Sequence, residues 1–111
     1  MPMELAFATK ILRSLCEEED AAVEKFGTKA AAELRARIAD LRAADSVADI
    51  VAGTPRFFDD DPRMTVSLLG VLEIVLRPNH IKMPLRDDGR IDWSRVRRLK
   101  IDKLNQLAGG G

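Results

Sequence analysis

Four cationic side chains occur at positions where strand alternation would project them from one side of a sheet: Arg63, Arg77, Arg98 and Lys100. Such groups can neutralise phosphate and stabilise the negative charge that builds when a ribose 2′-hydroxyl attacks the neighbouring phosphorus. His80 and Lys82 follow in the next loop, and together with Arg77 they are candidates for the catalytic groups, the first two for proton transfer. The pattern predicts a surface that contacts RNA and could cleave it without a metal ion.

The same cations also fit a simpler interpretation. On an open sheet face they would be solvated side chains paired with nearby carboxylates, for which Glu73 and Asp102 are the candidates. Spacing alone favours this interpretation over a catalytic one.

Other kinds of site find little support in the sequence. Cys16 falls in an apolar helical stripe, which is typical of a packed thiol, and Gly70 and Gly89 are explained by turns. With one histidine in the chain, neither a histidine-based metal site nor a Ser-His-Asp arrangement can be assembled. No cofactor is predicted.

Trp93 and an acidic run each have both a structural and a binding interpretation. Trp93 is the only tryptophan, and we expect it to anchor its loop to the helices rather than to stack on a base. The acidic run Asp59–Asp61 is expected to be a solvated loop, or else a site for a basic segment of a partner.

The elements that must position the cations begin with a hairpin. Residues 63–68 and 72–78 alternate apolar and polar side chains on either side of a turn near Gly70, which predicts two strands with one buried face. A final strand is expected from Val96 to about Leu104, a short strand at Arg56–Phe58 and an edge strand within Met3–Ala8.

Helical spacing of apolar residues dominates the region between the edge strand and the hairpin. One helical element is expected from Thr9 to about Phe26, with the acidic run near Glu17 able to begin a second piece, and another from Thr28 to Ala43. Thr9 and Thr28 are predicted N-caps, and Gly27 is predicted to end the first element. A short helical turn capped by Asp45 or Ser46 should run to Val51.

These elements predict an α+β fold in which a helical hairpin packs on a small twisted antiparallel sheet. The 111 residues allow one domain, taken as 1–107, with a flexible tail at 108–111. Hydrophobic content of 46% and charged content of 32% are typical of a globular chain, and no apolar run suffices for a membrane span. The lone cysteine and the lack of a secretion signal predict a cytoplasmic protein with no membrane association.

The net charge is zero, but its distribution is uneven. Residues 1–55 hold 7 Lys and Arg against 10 Asp and Glu, whereas residues 56–111 hold 11 against 8. Contact with a polyanion is therefore expected on the second half of the chain.

Several motifs together resemble the HigB-type toxins of the RelE/ParE superfamily, often labelled plasmid maintenance system killer proteins. They include FATK at 7–10, LRSLCEEE at 12–19, LRPNH at 76–80 and, above all, DDGRIDWSRV at 87–96. The likeness runs from about Met3 to Ile101. It implies a compact α/β toxin encoded beside a helix-turn-helix antitoxin, which cleaves messenger RNA on the ribosome, with substrate on the concave face of the sheet. The sequence leaves a homo-oligomer open as a further assembly.

The sequence departs from that family at the positions that usually carry catalysis. Leu72 and Glu73 stand where relatives commonly have a Tyr-Arg pair, and Arg77 stands where they tend to have glutamate. Gln106, Leu107 and Ala108 occupy the stretch where an Asp-Tyr-His cluster is common. The alternative function is therefore a non-catalytic member of the same fold, either a gyrase-directed poison of the ParE kind or a degenerate toxin that binds only its antitoxin.

Overall fold

The computed structural model describes residues 3–50, 55–68, 70 and 72–106 of the chain. Its elements, in chain order, are β1 (Glu4–Phe7), α1 (Lys10–Glu17), α2 (Glu19–Phe26), α3 (Thr28–Ala43), a 3₁₀ turn (Val47–Asp49), β2 (Arg56–Phe58), β3 (Arg63–Leu68), β4 (Leu72–Pro78), a second 3₁₀ turn (Trp93–Arg95) and β5 (Arg98–Gln106). The predicted α+β class is confirmed. The expected flexible tail at 108–111 and the end of the first short helical turn at Val51 lie outside the described residues.

The sheet is mixed rather than antiparallel. Its five strands lie in the order β1-β5-β4-β3-β2. β2 to β5 are antiparallel neighbours as expected, but β1 pairs with β5 in parallel, with Leu5 opposite Leu99 and Phe7 opposite Ile101. A parallel pair needs a long crossover, and the helices together with β2 to β4 supply it between β1 and β5. The prediction of a wholly antiparallel sheet was therefore wrong at this edge.

The hydrophobic core lies between α3 and one face of the sheet. The fully buried side chains include Leu34 and Leu41 of α3, Val66 of β3 and Leu76 of β4, and they belong to a single cluster with Leu99 of β5. Each of these positions follows the spacing expected of its element, helical in α3 and alternate in the strands. The alternate strand residues consequently project from the opposite side of the sheet, which we call the polar face.

The helical region contains three helices where a two-helix hairpin was the expectation. Glu18 is extended, with φ −108° and ψ 113°, and it separates α1 from α2 at the acidic run that was predicted to allow a new start. Thr9 is confirmed as the N-cap of α1, since its Oγ1 accepts a hydrogen bond from the Leu12 amide at 3.1 Å. Thr28 is instead the first residue of α3, whose N-cap is Gly27 at φ 89°.

An irregularity in β5 decides which of its side chains reach the polar face. Val75 pairs with Lys103, but the next residue, Leu76, pairs with Ile101, so Asp102 is an extra residue in β5 at this point. Such a bulge reverses the alternation beyond it. Lys100 therefore lies on the polar face before the bulge, and Lys103 and Asn105 lie on it afterwards.

No helix within the described ranges is long and apolar enough to cross a membrane.

Candidate polyanion-binding face

Cations from three adjacent strands form a row across the polar face. Arg77 pairs with Lys100 across β4 and β5. Met64 of β3 pairs with Leu76 of β4. In this antiparallel register the adjacent residues, Arg63 and Arg77, are therefore neighbours across the two strands. Neighbouring strands lie about 4.8 Å apart, so three like charges are held in a line within about 10 Å. Such a row attracts polyanions and is costly unless anions lie beside it.

Arg77 is at the centre of the row and carries its own anions. Its Nη1 and Nη2 donate to the two carboxylate oxygens of Asp61, at 2.9 and 3.3 Å, and its Nε donates to Asp102 at 3.4 Å. The hydrogen bond from Arg77 holds the pKa of Asp61 below its ordinary value, and Asp61 in turn raises the pKa of Arg77. The pairing of Arg77 with Asp102 confirms part of the simpler interpretation of these cations.

A concavity of about 410 Å³ opens at this point of the polar face. It is lined by Phe58, Asp61, Arg63, Thr65, Glu73, Val75, Arg77, Lys103 and Asn105. On its rim the guanidinium of Arg63 stacks over the ring of Phe58, with Cζ 4.1 Å from the ring centroid. The surface thus combines several cations with a stacked aromatic group, which is the combination that single-stranded nucleic acid requires.

The structure brings some of the predicted RNA-contacting residues together and separates another. Arg63 and Arg77 line the concavity, and Lys100 is adjacent to Arg77 in the register. Arg98 lies further along β5 and is paired with Glu4 of β1, with Nε 3.0 Å from the carboxylate. Arg98 therefore belongs to the edge of the polar face rather than to the concavity.

His80 and Lys82 lie in the loop after β4, and neither lines the concavity. His80 Nε2 accepts hydrogen bonds from the backbone amides of Arg97 and Arg98, at 3.0 and 3.3 Å, which joins the loop to the start of β5. Burial, with the nearby Arg98 and Arg97, lowers the pKa of His80. The imidazole is consequently neutral at pH 7 and carries its proton on Nδ1.

This placement of His80 predicts a pH-dependent stability. Well above about pH 6.5 the histidine is neutral in both states, whereas near and below that pH the unfolded chain takes up a proton before the folded one does. The free energy of unfolding should therefore fall as the pH drops from about 6.5 towards 5, by at most about 1.4 kcal/mol per pH unit. Urea denaturation across this range measures the effect.

His80→Gln is the control for this measurement, because the chain has one histidine and glutamine retains an acceptor without titrating in this range. Asp61 and Asp92 also have lowered pKa values, but they change the free energy of unfolding only near and below their ordinary pKa of 3.8. An unchanged pH dependence in the variant would refute the role of His80.

Trp93 has partners beyond those expected. Its ring packs against Phe57 of β2 with the centroids 5.0 Å apart, and its Nε1 donates to the carboxylate of Asp59 at 3.2 Å. It therefore anchors its loop to β2 and to the acidic turn, which we define as residues 59–62, and it also packs against the core cluster to which α3 contributes. The acidic turn is also not simply the solvated loop that was expected, because its Asp61 forms an ion pair with Arg77.

The remaining candidates for other chemistry are structural. Cys16 is buried, and burial raises its pKa to about 11, so the thiol is protonated and packed at neutral pH as predicted. Across the described ranges, no group of three or more His, Cys, Asp and Glu side chains is placed to hold a metal ion.

Several residues of the concavity were not predicted from the sequence, notably Phe58, Asp61, Lys103 and Asn105. Lys103 and Asn105 were missed because simple alternation assigns them to the buried side. A signal was present in β5, where the apolar residues Leu99, Ile101 and Leu104 follow one another at an interval of two positions and then of three. That change of interval is typical of a bulge.

No family model, curated protein or solved structure matches this chain.

Proposed function

We propose that this chain is the toxin-type member of a type II toxin-antitoxin pair, and that it binds messenger RNA on the polar face of its sheet. The observation that carries the proposal is the row formed by Arg63, Arg77 and Lys100, which meets the stacked Phe58 at a concavity. The family likeness supports the toxin assignment, and the row supports RNA as its target. A cognate helix-turn-helix antitoxin and the ribosome are the partners that this function implies.

The concavity suits a single strand better than a duplex. A phosphodiester can be bound by the guanidinium of Arg77 and by Lys103, while an unstacked base can lie against the Arg63 and Phe58 pair. A-form duplex RNA presents no unstacked base to such a surface. Messenger RNA threaded through a ribosome is single-stranded at the point of decoding, which agrees with this geometry.

The concavity also offers groups for cleavage without a metal ion. Among the described residues, Glu73 is the carboxylate lining this concavity that no hydrogen bond or ion pair engages, and it is available to take the proton of a 2′-hydroxyl. The 2′-oxygen then bonds to phosphorus and the bond from phosphorus to the 5′-oxygen breaks. Arg77 stabilises the charge that builds on the phosphoryl oxygens, and the Lys103 ammonium gives a proton to the leaving 5′-oxygen. In this proposal Glu73 and Lys103 replace His80 and Lys82, because His80 Nε2 is engaged by two backbone amides.

A second candidate function is binding of protein alone on the same fold. It is favoured by the fact that Arg77 is already engaged by two carboxylates of this chain, Asp61 and Asp102. In this case the row of cations receives an acidic surface of the antitoxin, or of another protein, and the chain performs no chemistry.

An experiment in cells distinguishes the two functions. The chain is expressed without its antitoxin, and the 5′ ends of messenger RNA are then mapped. The first function is expected to arrest growth and to produce new ends within translated regions, which disappear when translation initiation is blocked. Growth arrest without new ends would support the second function, and double-strand breaks in DNA would indicate a gyrase-directed poison.

A further inference from the structure

The acidic turn lies over the outer nitrogens of Arg77, the central cation of the row, and so fills part of the concavity. Asp61 receives Nη1 and Nη2 of Arg77 on its two oxygens, and the Pro62 carbonyl accepts a third bond from Nη1 at 3.4 Å. Arg63 also approaches Asp61, with Nη1 3.2 Å from its carbonyl oxygen and 3.7 Å from its carboxylate. One carboxylate thus lies between two arginines of the row.

The forked contact is the one that a phosphodiester makes with arginine. A guanidinium presents two parallel donors, and the two oxygens of a carboxylate or of a phosphate fill them in the same way. While Asp61 is in place, the paired Nη1 and Nη2 donors of Arg77 are occupied, and RNA cannot form the forked contact with them. A phosphate that binds Arg77 through this fork must therefore displace the carboxylate oxygens of Asp61.

The two carboxylates on Arg77 differ in what they do. Asp102 is on β5 and engages Nε, the donor on the inner side of the guanidinium, so it holds the side chain in the row. Asp61 is on a turn outside the strands, and its side chain is 61% exposed. Release of Asp61 would leave Arg77 positioned by Asp102 with its two outer nitrogens free.

We infer that Asp61 is a built-in competitor for the phosphate that Arg77 binds, and that the acidic turn must move aside when RNA enters the concavity. This inference rests on the proposed function, since it concerns the regulation of the same face. The turn sets a threshold for binding: an RNA that contacts Arg77 alone gains little, whereas one that also stacks on Phe58 and reaches Lys103 compensates for the lost contact.

The wild-type chain contains a reporter for this movement. The acidic turn also carries Asp59, whose carboxylate accepts the hydrogen bond from the Trp93 indole at 3.2 Å. Displacement of the turn breaks or lengthens that bond, so the emission of the only tryptophan in the chain should change as RNA binds.

The test uses the full chain and a 5′-labelled single-stranded oligoribonucleotide with 2′-O-methyl groups, which cannot be cleaved, and it measures affinity by fluorescence anisotropy. Asp61→Asn is expected to tighten binding about fivefold, the upper range for loss of an exposed ion pair. Asp60→Asn is the matched control, since it makes the same charge change one residue away in the same turn, and it should alter the affinity less than about twofold. Asp61→Ser serves as a second variant, with circular dichroism confirming that each protein is folded.

Each result decides between the inference and its rivals. Selective tightening by both Asp61 variants, together with a change in Trp93 emission when the wild type binds, supports the competitor. Equal tightening by Asp60→Asn and Asp61→Asn would reduce the effect to net charge and overturn the inference. If the wild type binds RNA but Asp61→Asn binds equally or more weakly, Asp61 positions Arg77 instead, and the proposed function survives. If neither the wild type nor any variant binds, the proposed function and the inference fail together.

Discussion

Replacing Arg77 with alanine is expected to reduce the affinity for single-stranded RNA by roughly tenfold or more. The variant loses the phosphate contact, and it also leaves the Asp61 carboxylate in the concavity without the guanidinium that now neutralises it. Arg77 is the central member of the row and the side chain with two outer donors directed into the concavity. Loss of one phosphate contact should also reduce the slope of log affinity against log salt by about 0.7 for a single strand. If the chain cleaves RNA, the rate should fall by about 10²- to 10³-fold, as for other lost donors to a developing anion.

The control for this variant is Arg86→Ala. It removes the same charge from an exposed loop residue that does not line the concavity. Arg98→Ala provides an intermediate case with a smaller expected loss, because Arg98 lies on the polar face beside β1 but does not line the concavity. If the Arg77 and Arg86 variants lose the same affinity for RNA, binding depends on the net charge of the protein, and the proposed site is refuted.

Glu73→Gln separates binding from chemistry on the same face. Glutamine keeps the size of the side chain but cannot accept the 2′-hydroxyl proton, so RNA should still bind while the new 5′ ends disappear. Removal of one negative charge should strengthen RNA binding slightly. Persistence of cleavage in this variant would exclude Glu73 as the base.

Leu34→Asp is expected to lower the free energy of unfolding by more than about 4 kcal/mol, enough to unfold much of the protein. Leu34 is fully buried in α3 and belongs to the cluster that joins this helix to the sheet. An aspartate there would be a buried charge with no partner, and the cavity left by leucine adds its own cost. Leu34→Ala should cost about 2 to 5 kcal/mol through the cavity alone.

Ala32→Asp in the same helix is the control, because residue 32 is exposed. It introduces the same side chain with a similar helix propensity cost, and it should change the unfolding free energy by less than about 1 kcal/mol. Chemical denaturation followed by circular dichroism measures all three variants. A wild-type midpoint for Leu34→Asp would contradict the orientation of α3.

Much of the framework was determined by local sequence alone. Alternation in β3 and β4 predicted both strands and their buried faces, because the pleat sends successive side chains to opposite sides regardless of what lies nearby. Thr9 predicted the start of α1 for an equally local reason, since a hydroxyl three residues before an unpaired amide can cap it. Gly70, at φ 72°, was recognisable as a turn residue from its type.

The sequence also indicated the type of charge on the sheet, but not which cations would act together. Arg63 and Arg77 come together because β3 and β4 form a hairpin, whose register is a short-range property. Arg98 has the parity of Lys100 but lies beside β1, where Glu4 engages it. The pairing of β1 with β5 joins segments more than 90 residues apart, and alternation within either strand does not reveal it.

Tertiary structure alone decided the composition of the concavity. The bulge in β5 places Lys103 and Asn105 on the polar face in addition to Asp102, which still reaches Arg77, and it exists only in relation to the register of β4. The acidic turn looked like a solvated loop because its charges and lack of periodicity are typical of one, yet the hairpin beside it places Arg77 against Asp61. Pleat and capping depend on neighbours in the chain and are therefore legible in sequence, whereas register and contacts between turns and strands depend on the whole sheet.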